Sequence, residues 1–370
     1  MDPVESLIGE IRRNPGRQFT EGELKQLAAV ADREVWAAKA LMLAHARAGR
    51  RQECVPLLEH ILRLEPSAEN SCNLAVGLRD AGRHQDAIAF LAGREAEIDR
   101  IHFCDLMCSL HARAGQHAQA VRYGDEALRL KDAAAPAVPP REPRIARFDP
   151  EAPSRNIIAF SVWGTQPRYL NGAVTNALVI RYLYPGWTAR FYTDGSTPPG
   201  FVAALKANGA EVVLIEDGPA SSHGLFWRFC VEDDEGVDIF LVRDCDSIVT
   251  IKERWAVADW LSRGKACHVM RDHPAHCELI LAGMWGAHRG NVGGMKARID
   301  SFLARSRAIG HLATIDQLFT REVLWPIVRH DVAIHDSWFG FRDPIRYDPG
   351  FSLPSGMHVG QNEWARIARG

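Results

Sequence analysis

The chain has 370 residues, of which 46% are hydrophobic and 24% charged, and its 44 basic and 46 acidic side chains give a formal net charge of -2. This length exceeds what one hydrophobic core usually holds, so we expect two domains in a globular protein. Proteins that bind duplex DNA or RNA carry a strongly basic face, and the balanced charge argues against nucleic acid as the main partner.

The same composition bears on the compartment. No apolar run approaches the roughly 20 residues that cross a bilayer, and the N-terminus, Met1-Asp-Pro-Val-Glu, lacks the apolar segment of a signal peptide. The eight cysteines form no Cys-x-x-Cys pair, which indicates reduced thiols rather than a disulfide framework or a zinc knuckle. We therefore expect a cytoplasmic protein, either free or peripheral at the inner face of the membrane.

The first third of the chain contains a repeat. Ala48-Gly49-Arg50, Ala81-Gly82-Arg83 and Ala114-Gly115-Gln116 follow one another at a spacing of 33 residues, with apolar residues at helical spacing on both sides. Each glycine stands where two antiparallel helices must turn. The period and pattern resemble the tetratricopeptide repeat, although most large aromatic residues of its consensus are missing. The resemblance implies an all-α helical repeat domain over 1–132 that docks a partner or the acceptor.

A proline-rich segment separates this region from the rest of the chain. Residues 133–155 contain six prolines in 23 positions and show no apolar period. Because proline removes backbone donors and favours an extended chain, this composition predicts a semi-rigid linker between two domains.

From residue 156 onward, apolar strands alternate with helices. Apolar runs predict strands at 157–163, 189–193, 211–215 and 237–242, with helices at 171–182 and 199–208 between them. Strands that are apolar throughout are typical of a parallel sheet covered on both faces, which predicts an α/β domain over 156–370. In such sheets the ligand binds beyond the carboxyl ends of the strands.

The most informative feature follows the fourth of these strands. Asp244-Cys245-Asp246 places two carboxylates one residue apart in a turn after a buried strand. Such a pair can converge on one hard cation, Mn2+ or Mg2+, and leave coordination positions for phosphate oxygens. The alternative is a solvated turn, where aspartate is common.

Two enzyme classes carry such a pair on this kind of strand. One is the haloacid-dehalogenase type of phosphatase, in which Asp244 would be the nucleophile. The position argues against it, because roughly 85 residues of α/β sequence precede the pair. A further alternative is a protein without catalytic activity, a scaffold in which the repeats are attached to a degenerate transferase domain.

That second class is the metal-dependent glycosyltransferase of the GT-A type. Phe226-Trp-Arg-Phe, Val242-Arg-Asp-Cys-Asp-Ser, 252–260, 268–276 and 280–286 resemble a group of bacterial glycosyltransferase-like proteins of polysaccharide and surface-glycan synthesis. The resemblance implies a Rossmann-like nucleotide-binding domain that transfers a sugar from a nucleotide-diphosphate donor to a glycan, lipid-linked or peptide acceptor.

The same resemblance implies roles for single residues. Asp244 and Asp246 would hold the metal, with a third ligand from near the C-terminus, for which His335 and His358 are the candidates. Arg228 and Arg243 would pair with phosphate, unless they form ion pairs with nearby acids. Residues that would contact the nucleotide or the sugar are Thr165, Tyr169, Asn171, Asp194, Asp244, Trp285 and Gly286. Trp285 has core packing as its alternative.

The catalytic base depends on stereochemistry. If transfer inverts the anomeric centre, a carboxylate must take the proton of the acceptor hydroxyl. Asp316, at the start of an amphipathic helix, is the first candidate, and Asp272 is the second. A retaining enzyme needs no such base, and the sequence leaves both courses open.

Overall fold

The structure of the protein, a computed structural model, describes residues 3–14, 17–216, 222–306, 314–354 and 356–362. Contacts divide the chain into two compact units, Met1–Ala127 and Leu128–Gly370. Over the described ranges, no helix combines the length and apolar character that a membrane crossing requires.

Helices make up the first unit, and three of its turns share one geometry. Gly49, Gly82 and Gly115 have φ angles of 74°, 78° and 73°, and the residue after each donates its backbone N–H to the carbonyl five positions earlier. This helix ending needs a left-handed residue, which glycine supplies without steric cost. The helices are α1 Pro3–Arg13, α2 Glu21–Ala28, α3 Val35–Arg47, α4 Arg51–Leu64, α5 Ala68–Asp80, α6 His84–Ala92, α7 Arg100–Arg113 and α8 His117–Ala134, the last of which continues into the second unit; a 3-10 turn covers Glu95–Glu97.

Consecutive helices from α3 to α7 pack on one another. Their contact is close at Gly77, where a Cβ would be 2.2 Å from Leu58 Cδ1. The 33-residue spacing therefore corresponds to repeated helical hairpins, as the glycine positions predict, and membership of the tetratricopeptide family stays a prediction.

A seven-stranded sheet organises the second unit. Its strands are β1 Asn156–Ser161, β2 Thr188–Thr193, β3 Glu211–Leu214, β4 Ile239–Arg243, β5 Cys267–Arg271, β6 Met284–His288 and β7 Val332–Asp336. Their order across the sheet is β3-β2-β1-β4-β6-β5-β7. The first four neighbours are parallel, β6 is antiparallel to both β4 and β5, and β5 is parallel to β7.

The four strands predicted from the sequence are present and run parallel to one another, whereas β6, for which the sequence analysis predicted no strand, is antiparallel to its neighbours. Gly286 permits that strand to lie against β4, since a Cβ there would be 2.6 Å from the carbonyl oxygen of Phe240. An apolar run predicts a buried strand but carries no information on its direction.

Helices cover the sheet. The first of these helices, Pro167–Leu183, shares a core with β1, β2 and β4 through Leu170, Ala173, Ala177 and Ile180. The helices are α9 Pro167–Leu183, α10 Pro199–Ala207, α11 Ile251–Arg263, α12 Met295–Ser306, α13 Ile315–Phe319 and α14 Trp325–Val328; Thr320–Leu324 is a π-helical turn, and Pro153–Arg155, Ser222–Asp233 and Pro349–Phe351 are 3-10 helical.

The proline-rich segment lies on this second unit. From residue 136 to 149 it has no regular structure, and Phe148 packs against the core. Arg144 and Asn291 exchange two hydrogen bonds, of 2.9 and 2.8 Å.

Candidate functional site

A cavity of about 760 Å³ opens where β1 and β4 end. These two strands are adjacent and parallel, and the chain continues from them to opposite sides of the sheet. Their loops therefore diverge and leave a crevice at the carboxyl edge, the usual ligand position in α/β sheets. The cavity is lined by Ser161, Val162, Trp163, Gly164, Gln166, Tyr169, Leu225, Arg228, Asp244, Cys245, Asp246, His276, Leu281, Ala282, Gly283, Met284, Thr314, Asp316, Gln317 and Gly360.

The aspartate pair begins directly after β4 and lies in this lining. The side chain of Asp244 is 46% exposed and that of Asp246 is 15% exposed. Cys245 between them is buried, and its Sγ donates to the carbonyl oxygen of Ser161 at 3.2 Å. Burial, reinforced by the charge of Asp244, raises the pKa of Asp246. The turn thus holds one side chain inward and presents two carboxylates to the cavity.

Two glycines allow the backbone to approach this turn. A Cβ on Gly172, in α9, would be 2.1 Å from the carbonyl oxygen of Cys245, and a Cβ on Gly283 would be 2.0 Å from Oδ2 of Asp244. Real Cβ atoms essentially never come within 3.0 Å of such atoms, whether they belong to the backbone, as at Gly172, or to a side chain, as at Gly283. The position of the carboxylate pair therefore depends on both glycines.

Arg228 connects Asp244 to a third acid of the cavity. Its Nη1 donates to Oδ1 of Asp244 and to the carbonyl oxygen of Arg243, the latter at 2.9 Å. Its Nη2 donates to Oδ2 of Asp316 at 3.0 Å. Burial raises the pKa of Asp316, and the positive charge of Arg228 acts in the opposite direction. Arg228, which the sequence analysis predicted to bind phosphate, is therefore already paired with two acids, Asp244 and Asp316.

The donor set suits a hard divalent cation. Carboxylate oxygens are the ligands that Mn2+ and Mg2+ prefer. No group of three His, Cys, Asp or Glu side chains that could hold a metal ion occurs in the part of the chain that the structure describes. A cation at Asp244 and Asp246 would keep positions for phosphate oxygens and water.

Neither candidate for a third metal ligand lines the cavity. His335, on β7, is fully buried; its Nδ1 is 2.8 Å from Nε2 of His268, and its Nε2 is 3.0 Å from Oδ2 of Asp259. The ring of His358 lies 4.6 Å from that of His273 and 5.0 Å from that of His276, centroid to centroid. The structure does not bring either histidine to the aspartate pair.

Three other sequence candidates lie in the sheet interior. Arg243 is 1% exposed and its Nε donates to Oε1 of Glu253 at 2.6 Å. Trp285 is 1% exposed and meets the rings of Phe229 and Phe240 edge to face. Arg243, Trp285 and Gly286 are not among the lining residues.

Asp272 is also outside the cavity lining. Its Oδ1 accepts from Nζ of Lys252 at 2.6 Å and from Oγ of Ser337, and its Oδ2 accepts from the backbone N–H of Val359 at 2.8 Å. The side chain is 3% exposed. These contacts hold the segment around Val359 in place.

The candidates near β1 and β2 are divided. Tyr169 lines the cavity, and burial raises its pKa. Asp194 accepts at Oδ1 from the backbone N–H of Ser196 at 3.0 Å and so orders the loop after β2. Thr165 and Asn171 are exposed and are not lining residues.

A tryptophan of the cavity lining and two residues that contact Asp246 were not predicted from the sequence. Trp163, at the end of β1, is half-buried in the lining and meets Trp227 edge to face at 5.8 Å. Nε of Arg168 is 4.0 Å from Oδ2 of Asp246, and Nδ2 of Asn362 donates to the same oxygen at 2.8 Å. The strand-end rule would have found Trp163 and Arg168, but Asn362 is 116 residues from Asp246.

The chain resembles solved glycosyltransferases over part of its length. An O-GlcNAc transferase mutant of Thermobaculum terrenum is 17% identical with a TM-score of 0.41, over 65% of this chain and 45% of that one. Glucosyl-3-phosphoglycerate synthase from Mycobacterium tuberculosis, in complex with Mn2+, uridine diphosphate and phosphoglyceric acid, is 14% identical with a TM-score of 0.31, over 53% and 74%. A mannosyltransferase from Pyrobaculum calidifontis, in complex with GDP-Man and Mn2+, is 13% identical with a TM-score of 0.32, over 72% of each chain.

The chain spans about half the length of the first solved structures that it matches, 45% and 56%. No protein-family model matches the chain, and no curated protein matches its sequence. What the chain does is therefore inferred from the geometry of its own cavity.

Proposed function

We propose that this protein is a metal-dependent glycosyltransferase that uses a nucleotide-diphosphate sugar as donor and Mn2+ or Mg2+ as cofactor. The placement of Asp244 and Asp246 supports this function. Both follow a buried parallel strand and face a cavity of about 760 Å³ at the carboxyl edge of the sheet. This is where α/β sheets bind nucleotides.

Asp244 and Asp246 would hold the cation. A divalent cation there offsets the charge of the diphosphate and stabilises it as a leaving group. Asn362 and Arg168 lie against Asp246 and would orient it, and the exposed side of Arg168 would also meet a phosphate.

Aromatic side chains supply the apolar part of the donor site. Trp163 and Tyr169 line the cavity next to the carboxyl end of β1. Flat rings beside the strand end suit stacking on a nucleobase or on the face of a pyranose. We place the nucleoside there, with the diphosphate directed toward the aspartate pair.

Asp316 is the carboxylate we assign to the acceptor. It lines the cavity, whereas Asp272 is held by Lys252, Ser337 and Val359 outside it. The raised pKa of Asp316 favours proton uptake from an acceptor hydroxyl in an inverting transfer. In a retaining transfer the same side chain would hydrogen-bond the sugar.

The repeat unit would recruit the acceptor, a glycan, lipid-linked or peptide chain, or a protein partner. It contains its own cavity of about 820 Å³, lined by Arg63, Phe90 and Arg94 among others. Replacing both arginines by alanine in the full chain should lower kcat/KM for the native acceptor and leave donor binding unchanged. Unchanged turnover on that acceptor would exclude this role.

Two experiments separate the proposal from its alternatives. Release of nucleoside diphosphate from a panel of UDP- and GDP-sugars, with and without MnCl2, tests transfer and its slow hydrolytic side reaction. We expect Mn2+-dependent release from one donor and none with Asp246→Asn. Hydrolysis of an aryl phosphate instead would favour the phosphatase with Asp244 as nucleophile, and neither activity, with no nucleotide binding, would favour the scaffold.

A further inference from the structure

The guanidinium of Arg228 is shared between two carboxylates of the cavity. We infer that Arg228 couples cation binding at Asp244 to Asp316, a residue that does not touch the cation. The negative charge of Asp316 offsets part of the positive charge of Arg228. The guanidinium then neutralises Asp244 less completely, and Asp244 can bind the cation. Arg228 and Asp316 are thus positioning residues for the metal, an inference that rests on the function proposed above.

The burial of Arg228 makes this sharing necessary. The residue is 3% exposed, and water does not disperse its charge. Its two terminal nitrogens donate to different acids, Nη1 to Asp244 and Nη2 to Asp316. A planar guanidinium can serve two carboxylates at once because its donors form a fixed fork.

The two acids differ in their access to the cavity. The side chain of Asp244 is 46% exposed, whereas that of Asp316 is 9% exposed. A cation that enters the cavity therefore reaches Asp244 and has to compete there with the guanidinium, since two positive charges near one carboxylate repel each other. Any change that directs Arg228 more fully to Asp244 therefore weakens the binding of the cation.

Coupling between two sites is reciprocal. If Asp316 raises the affinity for the cation through Arg228, the bound cation must in turn strengthen the contact between Arg228 and Asp316. The acid assigned to the acceptor would then be held most firmly when the metal and donor are present. This links the order of the acceptor side of the cavity to occupancy of its donor side.

Mn2+ affinity, measured from the electron paramagnetic resonance signal of free Mn2+ in the presence of UDP or GDP, tests the inference without turnover. Asp316→Asn keeps the shape of the side chain and removes its charge. We expect it to weaken Mn2+ binding by about fivefold or more, a typical size for coupling between sites. An unchanged or tighter Mn2+ affinity in this variant would overturn the inference.

The second unit offers a matched control. Arg190 is likewise shared by two acids, Glu211 at 2.7 Å and Asp234 at 2.6 Å, and none of the three lines the cavity. Asp234→Asn removes a charge from this second bridge, in which the Asp234 side chain is 40% exposed, and should leave Mn2+ affinity unchanged. An equal loss in this control would attribute the effect to general electrostatics or stability.

A double-mutant cycle isolates the part played by Arg228. In an Arg228→Gln background, Asp316→Asn should weaken Mn2+ by a smaller factor than in the wild type, because the bridge is gone. The same factor in both backgrounds would mean direct through-space action and would overturn the role of Arg228. If the glutamine variant does not fold, Arg228→Lys replaces it, since a lysine cannot hold both acids in this geometry.

The failure of the inference is distinguishable from failure of the proposed function. Wild-type protein that binds no Mn2+ with any nucleoside diphosphate contradicts both. Wild-type binding together with an Asp316→Asn variant of unchanged affinity contradicts the inference alone.

Discussion

Gly283 lies directly against the side chain of Asp244, so that a Cβ at residue 283 would be 2.0 Å from Oδ2 and 2.5 Å from Cγ. Gly283 directly precedes β6, and Asp244 directly follows β4, to which β6 is paired. The antiparallel pairing of these strands therefore sets the position of the first carboxylate of the pair.

Gly283→Ala is expected to weaken Mn2+ binding although it removes no ligand. The added methyl must displace Asp244, and loss of the groups that orient a metal ligand typically costs about 10- to 100-fold in affinity. Gly195→Ala is the control, because nothing lies within 4 Å of a Cβ at residue 195. Calorimetric titration of Mn2+ measures both, and equal affinities would show that the contact with Gly283 does not matter.

Removing either carboxylate of the pair should abolish transfer while the fold stays intact. We expect Asp244→Asn and Asp246→Asn, and likewise Asp246→Ala, to lose Mn2+-dependent release of nucleoside diphosphate, since each removes an anionic ligand of the cation. Asp343→Asn is a matched control, because Asp343 is exposed and has a φ of 46°, a conformation that asparagine adopts readily. Full activity in the Asp246 variants would exclude the metal hypothesis.

Arg243 is expected to act on stability and not on the donor. Arg243→Met would leave Glu253 buried with the Tyr184 hydroxyl but without its charged partner, and breaking such a pair costs about 3–5 kcal/mol of unfolding free energy. In the control Arg155→Met, the lost partner is Asp238 in a pair whose side chains are 47% and 32% exposed, for which about 1 kcal/mol or less is expected. Denaturant unfolding measures both variants. A large loss of Mn2+–nucleotide affinity with unchanged stability would return Arg243 to the donor site.

Protonation of His335, a buried residue of β7, is expected to lower the free energy of unfolding at acid pH. Burial lowers the pKa of His335 from 6.5 to about 4, so between these values the unfolded chain takes up a proton that the folded chain does not. Stability due to this residue is therefore complete above pH 6.5 and is lost as the pH falls toward 4, by about 3 kcal/mol over the window.

The check is the slope of unfolding free energy against pH. We expect His335→Gln to reduce that slope between pH 6.5 and 4, and buried His268, His276 and His288, whose pKa values burial also lowers, to account for the rest. His330→Gln, a change at an exposed histidine of the same unit, should keep the slope. Identical slopes in all three proteins would mean that another group dominates the acid response.

Local patterns were sufficient to predict the strand that carries the aspartate pair. β1 and β4 are fully buried along their length, and their apolar runs and the polar residues after them place the cavity at the correct edge of the sheet. The helical repeats were equally accessible, because Gly49, Gly82 and Gly115 occupy turns that require a left-handed residue.

Contacts between residues far apart in the sequence could not be predicted from such local patterns. Arg228 and Asp316 are 88 residues apart, and no periodic pattern relates them. The direction of β6 also depends on its neighbours rather than on its own sequence. Trp285 illustrates the result: an aromatic residue beside two glycines suggests a sugar platform, but the antiparallel pairing places it between Phe229 and Phe240.

The aspartate pair is expected to bind a divalent cation together with a nucleoside diphosphate. Thermal unfolding of the wild type and of Asp246→Asn, each with UDP, GDP, ADP or CDP and with or without MnCl2, tests it most directly. A ligand at one hundred times its Kd stabilises the folded state by about 2.7 kcal/mol, which raises the unfolding temperature by several degrees. We expect such a shift in the wild type with one base, only when Mn2+ is present, and none in Asp246→Asn. No shift with any nucleotide, or an equal shift in both proteins, would contradict the account.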